Sequence, residues 1–185
     1  SHGVGGEKAT ALNYLITVRG YSFVDAVRHL IGDNAIHTDI IPRARPPNDR
    51  KQFVLPPRNR DNERVVAYLM SRGIEDSVIR NCIQKGSLYE SARYHNCVFI
   101  GRDNTGKACF AAQRGTTGDF KCDADGSDKR YGFVMPPSTG ASDTVAVFES
   151  PIDAMSHACL FPGFDGWRLS LGGTSLVALK SFLEQ

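Results

Sequence analysis

No two cysteines in this chain stand in C-x-x-C spacing. The five that occur (Cys82, Cys97, Cys109, Cys122 and Cys159) are odd in number and far apart. That gives neither a zinc ribbon nor a disulfide framework, and a reduced, cytoplasmic setting is the plain expectation. Long apolar runs are missing too. None approaches the roughly 18 residues that a membrane span requires, and no signal-peptide pattern opens the sequence, so no membrane partner is expected. What remains is ordinary: 185 residues, 41% hydrophobic and 23% charged. That is enough for one domain, or two small ones, around a real core.

The net charge of +2 hides an uneven distribution. Residues 1–60 carry nine Lys/Arg against five Asp/Glu, and residues 131–185 carry two against five. The excess is densest at Arg43, Arg45, Arg50, Lys51, Arg58 and Arg60, where Asp49 is the sole acid. A basic front and an acidic rear suit a protein that holds phosphates at one place and a divalent metal at another. A solvated linker that is merely basic has the same composition.

Periodicity divides the chain. Leu12, Leu15, Ile16 and Arg19 share a helical face that Gly20 ends, and Ser22 with Asp25 reads as a capping box before Phe23, Ala26, Val27, Leu30 and Ile31. Residues 33–60 hold Pro42, Pro46, Pro47, Pro56 and Pro57 and read as an extended basic linker. Asp61 can cap a helix carrying Val65, Val66, Tyr68 and Leu69, stopped by Gly73; Ile74, Val78, Ile79 and Ile83 make a second, stopped by Gly86. The period then falls to two. Cys97–Ile100 and Ala108–Ala112 flank Asp103-Asn104-Thr105-Gly106, a hairpin signal, and a third strand is expected near Phe120-Lys121-Cys122.

The last third alternates β-α-β-α. Thr144–Phe148 is a continuous apolar run, as in a strand buried on both faces. A helix from Pro151 to Leu160, a strand at Trp167–Leu171, Gly172-Gly173 and a helix from Ser175 follow, implying parallel strands with a right-handed crossover. Two such strands alone would bury their faces poorly, so truncation is the expectation. Glu149 is the leading candidate for chemistry, because it follows the first strand at the sheet's carboxyl edge, where α/β proteins place active residues. The competing reading is a solvated loop Glu, with Asp153 merely favouring the helix dipole.

Here a resemblance carries further. Val145–Met155, a hydrophobic strand ending in Glu149 with Asp153 on the following helix, resembles the first motif of Toprim domains. Those domains occur in bacterial primases, topoisomerases and related nucleases. Ser170–Ser175 resembles their second strand and its Gly-rich turn. Tyr68-Leu69-Met70-Ser71-Arg72-Gly73-Ile74 and the hairpin Val98–Lys107 leading to Arg114 resemble the opening of the bacterial primase core. Gly126–Phe133, followed by the Glu-Ser-Pro-Ile-Asp turn, is similar to a Toprim-associated domain of unknown function in plasmid and transposon proteins. Together these cover roughly residues 55–183.

The resemblance implies a mixed α/β fold in four parts. Residues 1–32 are similar to the end of a primase zinc-finger region, and residues 33–60 are the linker. Residues 61–142 form a helix pair with an antiparallel hairpin, and residues 143–185 the first half of a Toprim-like parallel sheet. It implies Glu149 as general acid or base, and Glu149 with Asp153 toward Mg²⁺, whose remaining Asp-x-Asp ligands do not appear after Glu149. Asp123-Ala124-Asp125 has those letters but precedes Glu149. His2 is a single candidate ligand, so no zinc is expected; His29, His37, His95 and His157 are unclustered and read as structural.

Arg102, Arg114, Lys121, Lys129 and Arg130, on or beside the hairpin strands, are the expected phosphate-binding set. Phe99, Phe110, Tyr131 and Phe133 read as core rather than as stacking platforms. The expected partners are single-stranded or gapped DNA and nucleotides. The parent would be a primase-like nucleotidyltransferase or a Toprim nuclease of mobile elements, this portion being inactive alone. The alternative is a binding module with a degenerate Toprim half. A homodimer through an unpaired edge of Trp167–Leu171, or through helix exchange, is also expected.

Overall fold

The computed structural model describes residues 11–22, 25–26, 29–30 and 52–184, in two units that divide between Asp49 and Arg50. In the first, α1 (Ala11–Thr17) buries Leu15. The Asp25 N–H donates to Ser22 Oγ at 3.1 Å and the Ser22 hydroxyl to Asp25 Oδ2 at 2.6 Å. That is the local cap read from the sequence, and residues 25, 26, 29 and 30 are helical. Phe23, Val27, Ile31, His2, His37 and the linker residues 33–51 lie outside the described residues.

Within the second unit, residues 52–60 lie as a strap along its surface. Phe53 and Leu55 pack on a buried cluster, and Arg58 bridges antiparallel to Ser91. The Arg58 guanidinium lies 4.3 Å above the Tyr89 ring, whose hydroxyl donates to the Pro56 carbonyl at 2.5 Å. Pro56 and Pro57 suit such an edge because they have no N–H to leave unpaired. Residues 52–60 form no regular element beyond the Arg58 bridge, as expected of the linker, but they pack against the second unit.

Helices α2 (Glu63–Ser71) and α3 (Asp76–Gln84) are the expected pair. Val65 and Leu69, four residues apart, and Ile79 and Cys82, three apart, are the residues they bury. Their core partners are Phe99, Phe133 and Met155; removing a Leu or Ile side chain from water is worth about 2 kcal/mol. The expected cap at Asp61 is only partial. Asp61 Oδ1 accepts the Glu63 N–H at 3.2 Å, while the Arg64 and Val65 N–H groups donate to Glu90 Oε2 at 3.0 and 3.2 Å. A residue far along the chain caps this helix.

Seven strands form one mixed sheet: β1 (Leu88–Glu90), β2 (Cys97–Arg102), β3 (Ala108–Arg114), β4 (Lys121–Asp123), β5 (Phe133–Met135), β6 (Val145–Phe148) and β7 (Trp167–Ser170). Their order is β4-β3-β2-β5-β7-β6, with β1 also on β2. The hairpin pairs Cys97 with Arg114 through Gly101 with Phe110. On its other edge, β2 takes β1 along Cys97–Phe99 and then β5 at Gly101. Alternation along β2 sends Cys97 and Phe99 into the main core under the helices, and Val98 and Ile100 into a second core with Tyr89 and Ala111.

The α/β class holds, and β6 and β7 are parallel as expected. Two expectations about them are corrected. β5 pairs antiparallel along β7, so the Trp167–Leu171 strand has neighbours on both edges and offers no free one. β6, read as buried on both faces, is instead the end strand, with Val147 37% exposed. The short β5 was not legible as a strand. Its approach depends on Gly132, where a Cβ would stand 2.0 Å from the Ser170 carbonyl oxygen. No side chain fits between the hairpin half and the parallel half at that crossing.

Helix α4 (Pro151–Leu160) returns from β6 and buries Ala154 and Met155 in the main core. Arg168, buried, donates to the Phe161 and Phe164 carbonyls at 3.0 and 3.1 Å and so closes the end of α4. Helix α5 (Val177–Leu183) buries only Ala178. No helix among the described residues is long and apolar enough to cross a membrane.

Candidate functional site

Parallel strands end side by side, and here their ends are tied together. The Leu171 N–H donates to the Phe148 carbonyl at 2.9 Å, and the Gly173 N–H to the Glu149 carbonyl at 3.0 Å. Gly172 takes a φ of 62° with Phe110 so close that a Cβ would meet its ring at 2.8 Å. On the other side of Glu149, a capping box starts α4. The Ser150 N–H and hydroxyl donate to Asp153 Oδ2 at 3.2 and 2.7 Å, and the Asp153 N–H returns to Ser150 Oγ at 3.4 Å. The Glu149 backbone is therefore fixed on both sides. Its side chain is exposed and makes no hydrogen bond or ion pair with the described residues.

A cleft of about 510 Å³ opens at this point, and its far wall is the β3–β4 edge. Arg114 and Lys121 stand directly opposite each other there, and Arg72 joins them from the end of α2. Like charges facing across a ladder are unfavourable. Asp119, 3.8 Å from Arg114, offsets this pair only weakly, since its carboxylate is fully exposed. Arg114 Nε also donates to the Tyr68 hydroxyl at 3.4 Å, which tethers the guanidinium to α2 and raises its pKa further.

Three acids line the same cleft, and two are committed. Asp123 is ion-paired with Lys129, whose ammonium also lies 3.5 Å from the Gly172 carbonyl and 5.6 Å from the Phe110 ring centroid. Asp153 spends one oxygen on the helix cap. Glu149 is left as the unpaired acid, facing a wall of Arg72, Arg114 and Lys121. A solvated carboxylate in one cleft with a tethered Arg114 and the exposed Arg72 and Lys121 can accept or deliver a proton while the cations hold a phosphate chain.

The structure thus sorts the residues singled out from the sequence. Glu149, Asp153, Arg114 and Lys121 converge on one cleft, and Lys129 stands at its rim. Arg102 and Arg130 do not join them; they line a separate hollow. A bulge between Gly101 and Arg102 breaks the register and re-aims Arg102. It donates to the Gly106 and Gly86 carbonyls at 2.9 and 3.1 Å. Arg130 is chelated by Asp128, its shortest contact being 2.6 Å. Phe99, Phe110 and Phe133 are core residues.

Sequence reasoning passed over Arg72, Gln113 and Asp123. Arg72 lay inside the motif that resembles the opening of the primase core, but was given no role of its own. Asp123 was set aside because it precedes Glu149, yet pairing with Ala112 carries it into the cleft. As for a metal, no three His, Cys, Asp or Glu side chains among the described residues are grouped to hold one. Glu149 and the one free oxygen of Asp153 do not by themselves make a magnesium site, which needs near-octahedral oxygen coordination.

Residues 67–139 match the model of a family described as "Protein of unknown function (DUF3991)". The match begins inside α2, takes in α3 and β1 to β5, and stops short of Glu149. It includes the Arg72, Arg114 and Lys121 wall but not the acid opposite. No curated protein and no solved structure matches the chain.

Proposed function

We propose that this chain is a nucleic-acid-binding portion of a primase-like Toprim protein of mobile elements, working in the cytoplasm. Its cleft holds single-stranded or gapped DNA, or a nucleotide, against Arg72, Arg114 and Lys121, with Glu149 at the reacting phosphate. The observation that carries this reading is the convergence of a free carboxylate with three cations beside the Gly172-Gly173 turn. Two of these cations stand opposed in register despite the repulsion, and a bound phosphate backbone would offset it. The five free cysteines agree with a reducing compartment. Mg²⁺ in this reading belongs to a fuller acidic set, of which Glu149 and part of Asp153 are in view.

A second reading has its own support. The cation wall falls inside the family match, the acid does not, and two carboxylates make no metal site. On that view the cleft binds a strand and performs no chemistry.

Salt dependence of binding to a short oligodeoxythymidine tests both. Arg114→Ala with Lys121→Ala should weaken affinity and flatten the log–log salt slope by about 0.7 for each lost phosphate contact. Glu149→Gln should leave affinity intact or slightly improved, since it removes a negative charge near the phosphates. Unchanged affinity and slope in the double variant would sink the cleft as the binding site. Primer synthesis or strand cleavage that Glu149→Gln abolishes would decide for chemistry over binding alone.

A further inference from the structure

Arg102 and Arg130 line a hollow apart from the cleft. It is a depression of about 450 Å³, partly open to solvent. That volume falls within the range of small-ligand sites, which are mostly apolar with a few fixed polar groups. Its apolar walls come from Val134 on β5, Trp167 and Leu169 on β7, and Ala178 and Phe182 on α5. Helix α5, which contributes two of these walls, buries a single residue.

Two of the walls are aromatic rings in contact. Trp167 and Phe182 meet edge to face at 5.5 Å, and the Trp167 indole N–H is fixed on the Ser142 carbonyl at 3.1 Å. The charged side chains lining it are Arg102 and Arg130, the second of them ion-paired with Asp128. Arg102 is anchored by two backbone carbonyls rather than by carboxylates, so its positive charge is not cancelled by the groups that hold it. Arg130 is held by Asp128 and stacks over Tyr131 at 5.6 Å. A flat apolar ring joined to an anion matches such a lining: the ring gains from aromatic contact and the anion from the guanidinium groups.

We propose that this hollow is a second nucleotide site, with a base against Trp167 and Phe182 and its phosphate at Arg102 and Arg130. It uses no residue of the cleft. It rests on the nucleic-acid reading only in that the unit could come from a bound strand rather than from free nucleotide.

The chain carries its own reporter, because Trp167 is its only tryptophan. Fluorescence titration with deoxyadenosine monophosphate and, separately, with a ten-nucleotide oligodeoxythymidine should quench Trp167. Quenching by the oligonucleotide alone assigns the unit to a strand, and quenching by both or by the mononucleotide alone admits free nucleotide. In either case Arg102→Gln and Arg130→Ala should each weaken the quenching ligand about tenfold, one lost charge-assisted contact. Arg130, with its side chain 60% exposed, can be replaced without risk to the fold if Arg102→Gln proves unstable.

Arg114→Ala with Lys121→Ala separates the two sites. Quenching that survives this pair keeps the hollow even if the cleft reading fails. No quenching by either ligand at millimolar concentration would overturn the proposal. So would quenching indifferent to Arg102→Gln and Arg130→Ala, or quenching lost only with the cleft pair. A response to an apolar dye but to no nucleotide would do the same, since it would mark an apolar surface for a protein partner.

Discussion

Helices α2 and α4 begin in contrasting ways. The start of α4 is capped from within: Ser150 and Asp153, three residues apart, satisfy each other's backbone donors. The start of α2 is capped from a distance by Glu90, 1% exposed, at the end of β1. That carboxylate accepts the Arg64 and Val65 N–H groups on one oxygen. On the other it accepts the Asn59 amide at 2.8 Å and faces His95 Nδ1 at 2.5 Å. A local cap fixes only its own helix. The remote one ties the strap, β1, the turn at His95 and α2 into a single unit, so more depends on it.

The largest effect should follow from breaking that remote cap. Glu90→Ala removes the shared acceptor of two helix donors, an amide and an imidazole, at a site that is buried around the Val65 N–H and partly buried elsewhere. The expected loss is about 3 kcal/mol of unfolding free energy, because stranded buried polar groups lose their partners together. Glu90→Gln should cost less but stay clearly destabilising, as its NH₂ would face donors. A denaturation midpoint close to the parent's would show that the strap and α2 do not depend on the carboxylate. Ser150→Ala removes the local cap for comparison and should cost about 1 kcal/mol. If it costs as much as Glu90→Ala, the distinction between local and remote caps is wrong.

The far end of α4 gives a smaller, pH-dependent test. Arg168 Nε donates to His157 Nδ1 at 3.1 Å, so this nitrogen must stay unprotonated. Burial, and then the charge of Arg168, push the His157 pKa below its usual 6.5. The unfolded chain therefore takes up a proton at higher pH than the folded one does. Stability should be level above about pH 7.5 and fall as the pH drops through 6.5 toward the folded-state value. His157→Gln, which keeps an acceptor for Arg168, should remove that share of the slope. An identical slope in the variant would assign the pH dependence to other groups.

These ends also show what the sequence could and could not disclose. Ser150 with Asp153 has the spacing of a cap, yet Asp153 was read as an acid favouring the helix dipole, and the reciprocal cap emerged from the structure. Ser22 with Asp25 has the same spacing, and there spacing alone exposed the pair. The hairpin at Asp103–Gly106 was legible for the same reason: Asp103 Oδ1 accepts the Thr105 and Lys107 N–H groups, both at 3.0 Å, within one turn. Glu90 and Arg168 were silent, since each meets donors or carbonyls that only folding brings near. β5, three residues long, carries no period worth reading, yet it joins the two halves of the sheet and covers the β7 edge. In the candidate site, Glu149 could be found from its place after a strand. Arg72 and Asp123 could not, because their membership depends on cross-strand register and on where α2 ends.

The smallest expected effect falls on the residue given the most functional weight. Glu149 differs from Glu90 in every respect that bears on folding: it is exposed, and among the described residues its carboxylate has no hydrogen-bond or ion-pair partner. Replacing it with Gln removes no contact and strands no donor, so stability should shift by less than about 0.5 kcal/mol. Lost attraction to Arg72, Arg114 and Lys121 and relieved repulsion from Asp123 and Asp153 oppose each other in the same cleft, and both are screened at ordinary ionic strength. Chemical denaturation of Glu149→Gln beside Glu90→Gln makes the comparison direct, because the same chemical change is made at two glutamates. A loss at position 149 approaching that at position 90 would mean that this carboxylate serves the fold. Its solvent-facing position would then no longer single it out for chemistry.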